Sequence, residues 1–307
     1  MEASDYFDRL AARRIPVVLD EDSAAAQVAA LGFPVERLED HDFTAPQAPP
    51  SLLVITQEAS IGRLHGLWGS AQSAFAYLAL AKFDGSPRAL GAAFARLLAT
   101  DHSAALARRA ETYDRILSCQ DLEITTAGGV LHCHMNDELE IANGGSTLEP
   151  GMLYSVAEFF EASVVNLEEE RSSFWVEGEL GFEGFIYLCN SGALKARLGP
   201  ALDELQRRAA SGPSSLRFTD NAVDRVVMGG ADMTGPFLAM LEGKERGAAA
   251  TELGLGCADV PIAEDWGLNM ALHKTGLGAY VGIGKGLDLP HIDFVARGAA
   301  IRFTSPA

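Results

Sequence analysis

His291 and Asp293 stand two residues apart in the apolar run LPHIDFVARGAAI. In an extended strand alternate side chains share a face, so these two project together while Ile292 and Phe294 face the other way. An imidazole beside a carboxylate can hold a divalent ion when a further carboxylate completes the shell. Glu252, in the glycine-rich segment TELGLGCADVPI, is the candidate for that carboxylate. A His–Asp pair that only hydrogen-bonds is the plainer alternative, and HxD alone does not separate the two.

Glu158 is a second candidate, a lone acid among the apolar residues of GMLYSVAEFFEASVV. Desolvation makes an unpaired carboxylate costly there, so such an acid is paired, bound to metal, or on an exposed strand face. His132 and His134 alternate in LHCHMN, with Cys133 pointing away; strand histidines at this spacing more often cover a sheet than bind metal. Glu168, Glu169 and Glu170 read as a solvated turn, and His273, beside Lys274 at an expected helix end, as a surface residue.

The elements that must position these groups follow from composition and periodicity. The chain of 307 residues is 48% hydrophobic and 21% charged, which suits a folded protein of one large or two moderate domains. Its formal charge of −18 opposes nucleic-acid phosphates and anionic membrane surfaces, while leaving peptides and neutral or cationic small ligands admissible. Four widely spaced cysteines without a CxxC pair suit buried thiols in a reducing compartment. The N-terminal MEASDYFDRLAARR has no apolar signal core and no run approaches spanning length, so a cytoplasmic location is expected.

Residues 15–31 read as a buried strand followed by an alanine-rich helix stopping at Gly32. Residues 35–50 are polar and end in the turn signal APQAPP, and SLLVITQEA is a second buried strand. The residues after VVLD are EDSAAA, so no glycine-rich phosphate loop follows the first strand. From 60 to about 118 the pattern is helical, with Asp101 or Ser103 as a cap and Trp68 and Phe75 packing in that layer. At DLEITTAGGVLHCHMND the period changes to alternation. Strands are expected at LEITT, VLHCHM, ELEIA, SSFWVEG, FEGFIYL, LRFTD and RVVMG, with helices at 195–210 and 235–249 and a helix-compatible segment AEDWGLNMALHKTG. The expected class is α+β. A reduced α/β-helical domain (1–120) precedes a mostly antiparallel, curved sheet or open barrel (121–307).

Several segments, in order over roughly 121–307, resemble the aminopeptidase T family of metallopeptidases. DLEITTAGGVL resembles the entry to its catalytic domain. PGMLYSVAEFFEASVV resembles the P-x-GE-x-F-x-AP segment, which places Glu158 on a metal-ligating Glu. ATELGLGCADVPI resembles E-x-x-[IL]-G-x-N-x-x-I and places Glu252 on a second acidic ligand. KTGLGAYVGIGKG resembles K-x-G-G-T-x-H-x-A-x-G, and LPHIDFVARGAAI resembles the H-x-D segment, placing His291 and Asp293 on the last two ligands.

The departures are specific. Tyr280 stands where that family has a metal-binding His, and a neutral phenol is a far poorer ligand than imidazole. Ala157 replaces the Gly before the first ligand, Ser163 stands near the missing Pro, the Asn is absent from GCADV, and no Tyr follows GIGKG. The resemblance therefore implies a degenerate, shortened member: a non-catalytic protein that binds a peptide, for example presenting a precursor peptide to modifying enzymes in natural-product biosynthesis, with Tyr280, His291 and Asp293 in its cleft. The alternative is a metal-dependent aminopeptidase, or a single-metal enzyme of the same fold, holding Zn, Mn, Co or Fe on Glu158, Glu252, His291 and Asp293. An iron relative of the fold, the ring-opening dihydroxypyridine dioxygenase, implies a His-His-Asp set that Tyr280 also interrupts. The family's habit of dimerising makes a homodimer the expected assembly.

Overall fold

Helix α1 (Ala3–Ala11) leads into strand β1 (Val17–Leu19), helix α2 (Ala25–Ala30), β2 (Val35–Arg37) and β3 (Ser51–Val54). Helix α3 (Ile61–Gly66), β4 (Phe75–Leu78), α4 (Pro87–Ala99) and α5 (His102–Ser118) follow. The structure is a computed structural model that describes residues 1–46, 48–286 and 288–304. Gln47 in the expected APQAPP turn and residues 305–307 at the end of the expected second domain lie outside the described residues.

These first strands run parallel in the order β2-β1-β3-β4. Val17, Leu19, Leu52 and Val54 pack with Tyr6, Phe7 and Phe94 from α1 and α4, whereas Val18 and Leu53 pack oppositely with Phe43 and Leu64. Burial on both faces is why these strands read as continuous apolar runs. The helical expectation for 60–118 fails over SAQSAFAYLALAKF, which supplies β4: a short apolar run fits either period, and here it is sandwiched between two layers. Phe75 is buried on that strand, and Trp68 is 71% exposed after α3 instead of packing in a helical layer. Asp101 does cap α5, its carboxylate accepting the Ala104 N–H.

From Asp121 strands dominate: β5 (Asp121–Thr126), β6 (Gly129–Met135), β7 (Glu140–Ile141), β8 (Tyr154–Ser155), β9 (Glu161–Val165), β10 (Phe174–Phe182) and β11 (Gly184–Leu188). Helix α6 (Gly192–Ala209), β12 (Ser214–Thr219), β13 (Ala222–Met228), β14 (Ala231–Asp232) and helix α7 (Thr234–Leu241) come next. The chain closes with β15 (Ala250–Gly256), β16 (Gly278–Ile283), β17 (His291–Arg297) and β18 (Ala300–Thr304). β8 joins the parallel sheet beside β4. The others form a seven-stranded sheet, β14-β13-β12-β10-β6-β5-β18, and a six-stranded sheet, β11-β17-β16-β15-β9-β7. Their paired strands are antiparallel, and the two open sheets share one core instead of closing a barrel.

The core face of the six-stranded sheet carries Val164, Leu253, Leu255, Val281, Ile292 and Phe294. Alternation then puts Glu161, Glu252, Tyr280, His291 and Asp293 together on its opposite face. Two helical expectations are corrected here. The helix at 235–249 ends at Leu241, where Glu242 turns extended and Gly243 adopts φ +72°. The AEDWGLNMALHKTG segment is irregular apart from one 3-10 turn, Ala271–His273, because its polar side chains tie it to other elements. Asn269 brackets the Tyr187 backbone at 2.9 and 2.7 Å, and Glu264 holds Arg96 at 2.7 Å and His273 at 2.5 Å. His273 is consequently fully buried, not a surface residue. Among the described residues no helix is long and apolar enough to cross a membrane, and all four cysteines are buried and unpaired.

Candidate functional site

Register assembles the site. Glu252 on β15 faces Gly282 on β16, and Gly282 faces Asp293 on β17. Gly282 is the gap that lets the flanking groups meet: a Cβ there would lie 2.6 Å from Asp293 Oδ1 and 2.7 Å from His291 Cε1. One residue pair along, Gly254 faces Tyr280, and a Cβ on Gly254 would fall 2.1 Å from the phenol ring. The two glycines thus clear a floor on which the polar groups converge.

His291 Nε2 lies 2.8 Å from Asp293 Oδ1 and 3.1 Å from Glu252 Oε2. Neither contact meets hydrogen-bond geometry, and Nε2 and Asp293 Oδ1 are buried. Nδ1 is 2.8 Å from the Gly284 carbonyl, which orients the ring so that Nε2 faces the cluster. Among the described residues Glu252, His291 and Asp293 form the set whose donor atoms all lie within 4.8 Å of one another. Convergent donors without mutual hydrogen bonds fit one divalent ion.

The other side of the same carboxylates is filled. Lys274 Nζ sits 3.3 Å from Glu161 Oε1, 3.1 Å from Glu252 Oε1 and 3.4 Å from Asp293 Oδ2, and 4.5 Å from the centre of the Tyr280 ring. Tyr280 Oη donates to Glu252 Oε1 at 2.6 Å. An ammonium among three carboxylate oxygens already supplies positive charge there, and Tyr280 adds a hydrogen-bond donor to Glu252.

Burial and charge oppose one another across the cluster. Burial alone would raise the Glu252 carboxyl, but the Lys274 charge, with His291 and Tyr280, outweighs it and holds the group well below the carboxylate range. Burial likewise disfavours the charged forms of Lys274 and His291, and the surrounding carboxylates overcome it and raise both. Glu161, 3% exposed, is pushed up by burial to about 8 despite Lys274. Glu158 is pushed up by burial to about 7, again against Lys274.

Glu158 lies apart from the trio. It occupies the 3-10 turn Ala157–Phe159, accepts from Asn143 Nδ2 at 3.5 Å, and lines the same cavity as Glu252 and His291. That cavity, about 210 Å³, opens between the site and the edge of the parallel sheet, with Tyr77, Leu80 and Phe83 as apolar wall. A second, of about 350 Å³, lies beside Leu167, Thr251 and Lys285. Leu188, Glu252 and His291 line both. His132 and His134 sit on β6 in the other sheet, where His134 stacks on Trp175 at 3.9 Å and Nδ1 meets Asp121 at 2.6 Å.

Sequence reasoning missed Glu161 and Lys274. An acid among the small and apolar residues of the strand EASVV needs a buried partner, which was the available signal. For Lys274 the available signal was the leading Lys of the K-x-G-G-T-x-H segment that KTGLGAYVGIGKG resembles. A Cβ on Gly256 would lie 2.0 Å from the Gly276 carbonyl and 2.8 Å from that of Lys274, so this glycine lets the turn rest on the sheet.

Two solved structures share the fold. A 2,5-dihydroxypyridine dioxygenase from Pseudomonas putida KT2440 aligns with TM-score 0.52 at 14% identity, covering 98% of this chain and 93% of that one. Wild-type AmpT from Thermus thermophilus aligns with TM-score 0.51 at 11% identity, covering 98% and 96%. Comparison with curated protein sequences gives no match. The model of a natural-product biosynthesis family, described as crocagin biosynthetic protein CgnE/B, matches residues 12–304, and the chain belongs to that family.

Proposed function

We propose that this chain is a non-catalytic peptide-binding protein that holds a precursor peptide for the modifying enzymes of a natural-product pathway. The observation that carries this reading is the pair of cavities meeting at Leu188, Glu252 and His291. A ligand longer than one residue can lie across that junction with one part against Tyr77, Leu80 and Phe83 and another against Leu167. Apolar walls with a few convergent polar groups are what side chains of a bound segment need. Tyr280 further supports a site built to bind, because a neutral phenol stands where the resemblance implies an imidazole ligand of a two-ion hydrolytic centre.

The test is fluorescence anisotropy with a library of labelled peptides, with and without EDTA. Binding at about 10 µM or tighter, unchanged by EDTA, is the expected result. An absence of any binding at about 100 µM peptide would sink the reading.

The convergent, unaligned donors of Glu252, His291 and Asp293 favour a second reading, a metal-dependent aminopeptidase or other single-metal enzyme, with Glu158 at the cavity rim as an additional acid. Turnover of leucyl-p-nitroanilide that appears with Zn, Mn, Co or Fe and disappears on chelation would establish it in place of the first.

A further inference from the structure

We propose that Lys82 makes the smaller cavity a carboxylate site. Resting on the peptide reading above, the occupant is an acidic side chain or the C-terminal carboxylate of the bound peptide, with its apolar part against Tyr77, Leu80 and Phe83. Two lysines line this cavity, Lys82 and Lys274. Lys274 is spent on Glu161, Glu252 and Asp293. Lys82 has no carboxylate partner among the described residues: its Nζ meets His65 Nε2 on α3 at 3.3 Å. An ammonium donates, so that imidazole nitrogen accepts and the ring there is neutral. Burial, and then the Lys82 charge, hold His65 below its ordinary pKa.

The lysine is held in place for this role. It ends the 3-10 turn Leu80–Lys82 after β4, where the Ala81 N–H donates to the Ile55 carbonyl at 2.9 Å. Lys195 Nζ on α6 donates to the Ala81 carbonyl at 2.9 Å, which brings a second positive charge to the same turn. Asp84 is engaged with the Ser86 N–H and Glu58 lies against Gly192. Among the described residues neither acid forms an ion pair with Lys82 or Lys195. Burial therefore lowers the pKa of Lys82 with no carboxylate set against it. In a chain of formal charge −18 such an ammonium is an exception, and a partly desolvated one gains most from an anion that replaces its lost water.

The test removes the charge from each side in turn. Every peptide that binds wild type in the anisotropy library is remade with Glu and Asp replaced by Gln and Asn, and separately with an amidated C-terminus. One of these changes is expected to weaken binding by about tenfold, and which one it is separates a side-chain carboxylate from the chain terminus. In Lys82→Met the original and the neutral peptide should bind alike, and in Lys82→Glu the neutral one should bind tighter. Hydrocinnamate and its amide make the same comparison without a peptide, titrated by ligand-observed NMR: wild type should favour the carboxylate and Lys82→Met neither. If no peptide binds but hydrocinnamate is favoured through Lys82, the carboxylate site stands and the peptide reading falls alone. Three results overturn the proposal: equal affinity for charged and neutral partners in wild type, a preference that survives in both Lys82 variants, or no binding of either kind of probe.

Discussion

Tyr280 Oη and Lys274 Nζ converge on one oxygen, Glu252 Oε1, at 2.6 and 3.1 Å. Burial first, and then the Glu161 and Glu252 charges, push the phenol far above its ordinary range, so Tyr280 remains a donor at any pH the protein experiences. Tyr280→Phe keeps the ring over which Lys274 lies and deletes the donor alone. We expect a loss of about 1–3 kcal/mol of unfolding free energy, the cost of leaving a buried acceptor short of a partner. Urea unfolding followed by circular dichroism measures it, and a change within error would mean that Lys274 alone satisfies that oxygen.

The two glycines beneath the site make separable predictions. In Gly254→Ala the new methyl meets the Tyr280 ring at 2.1–2.3 Å, so the ring must leave its place over the sheet. In Gly282→Ala the methyl meets Asp293 Oδ1 and His291 Cε1 at 2.6 and 2.7 Å. Both are expected to destabilise by more than about 1–3 kcal/mol, the range for overpacking a filled interior. Gly282→Ala should in addition abolish any divalent-ion binding, because it drives two of the three convergent donors apart. Calorimetric melting and metal titration of each variant check the two effects separately.

The buried acids give a pH dependence with a defined sign. Glu158 and Glu161 have folded-state values near 7 and 8, above their ordinary 4.5, so between those limits the folded chain holds protons that the unfolded chain has lost. Unfolding free energy should therefore fall as pH rises from about 4.5 to about 8 through these two groups. His291, raised by Asp293 and Glu252 against the effect of burial, acts in the same direction above 6.5. Glu252 acts oppositely, and only at the acid end: its contribution is present above 4.5 and lost as pH falls through its depressed value. Glu158→Gln removes one titrating group, so its stability curve should be flatter between pH 4.5 and 7 than that of wild type. Urea midpoints across that range in EDTA decide it; parallel curves would refute the assignment.

Much of this site was legible because strand periodicity is simple. HID and TEL alternate, and period 2 puts His291, Asp293 and Glu252 on one face without knowledge of the register. The register itself was not legible: that Glu252, Gly282 and Asp293 stand in one row depends on the irregularity between Ala250 and Glu252 and on turn geometry. Lys274 escaped for a related reason. Its role comes from a turn packed against Gly256, a contact between residues whose spacing carries no periodic signal. His273, its neighbour, looked like a surface residue because nothing local reveals Glu264 and the Leu268 carbonyl closing around its ring. The β4 segment misled in the opposite direction, since a strand buried on both faces has no alternation to read.

If a peptide runs through both cavities, residues on the shared wall and residues in one cavity should behave differently. Leu188 lines both, whereas Leu167, 66% exposed, lines only the larger. Leu188→Ala should weaken every peptide that binds, by about tenfold, which is about 1.4 kcal/mol and within the range for unburying part of a leucine. Leu167→Ala should weaken by a similar factor only those peptides long enough to reach it. A peptide of about eight residues extends over about 26–29 Å and can cover both cavities, while a dipeptide cannot. Anisotropy titrations of the two variants with short and long peptides give four affinities. A length-dependent loss confined to Leu167→Ala supports a peptide threaded across the junction. Equal losses for both lengths would instead place the Leu167 effect outside direct contact, and no loss in Leu188→Ala would remove the junction from the binding path.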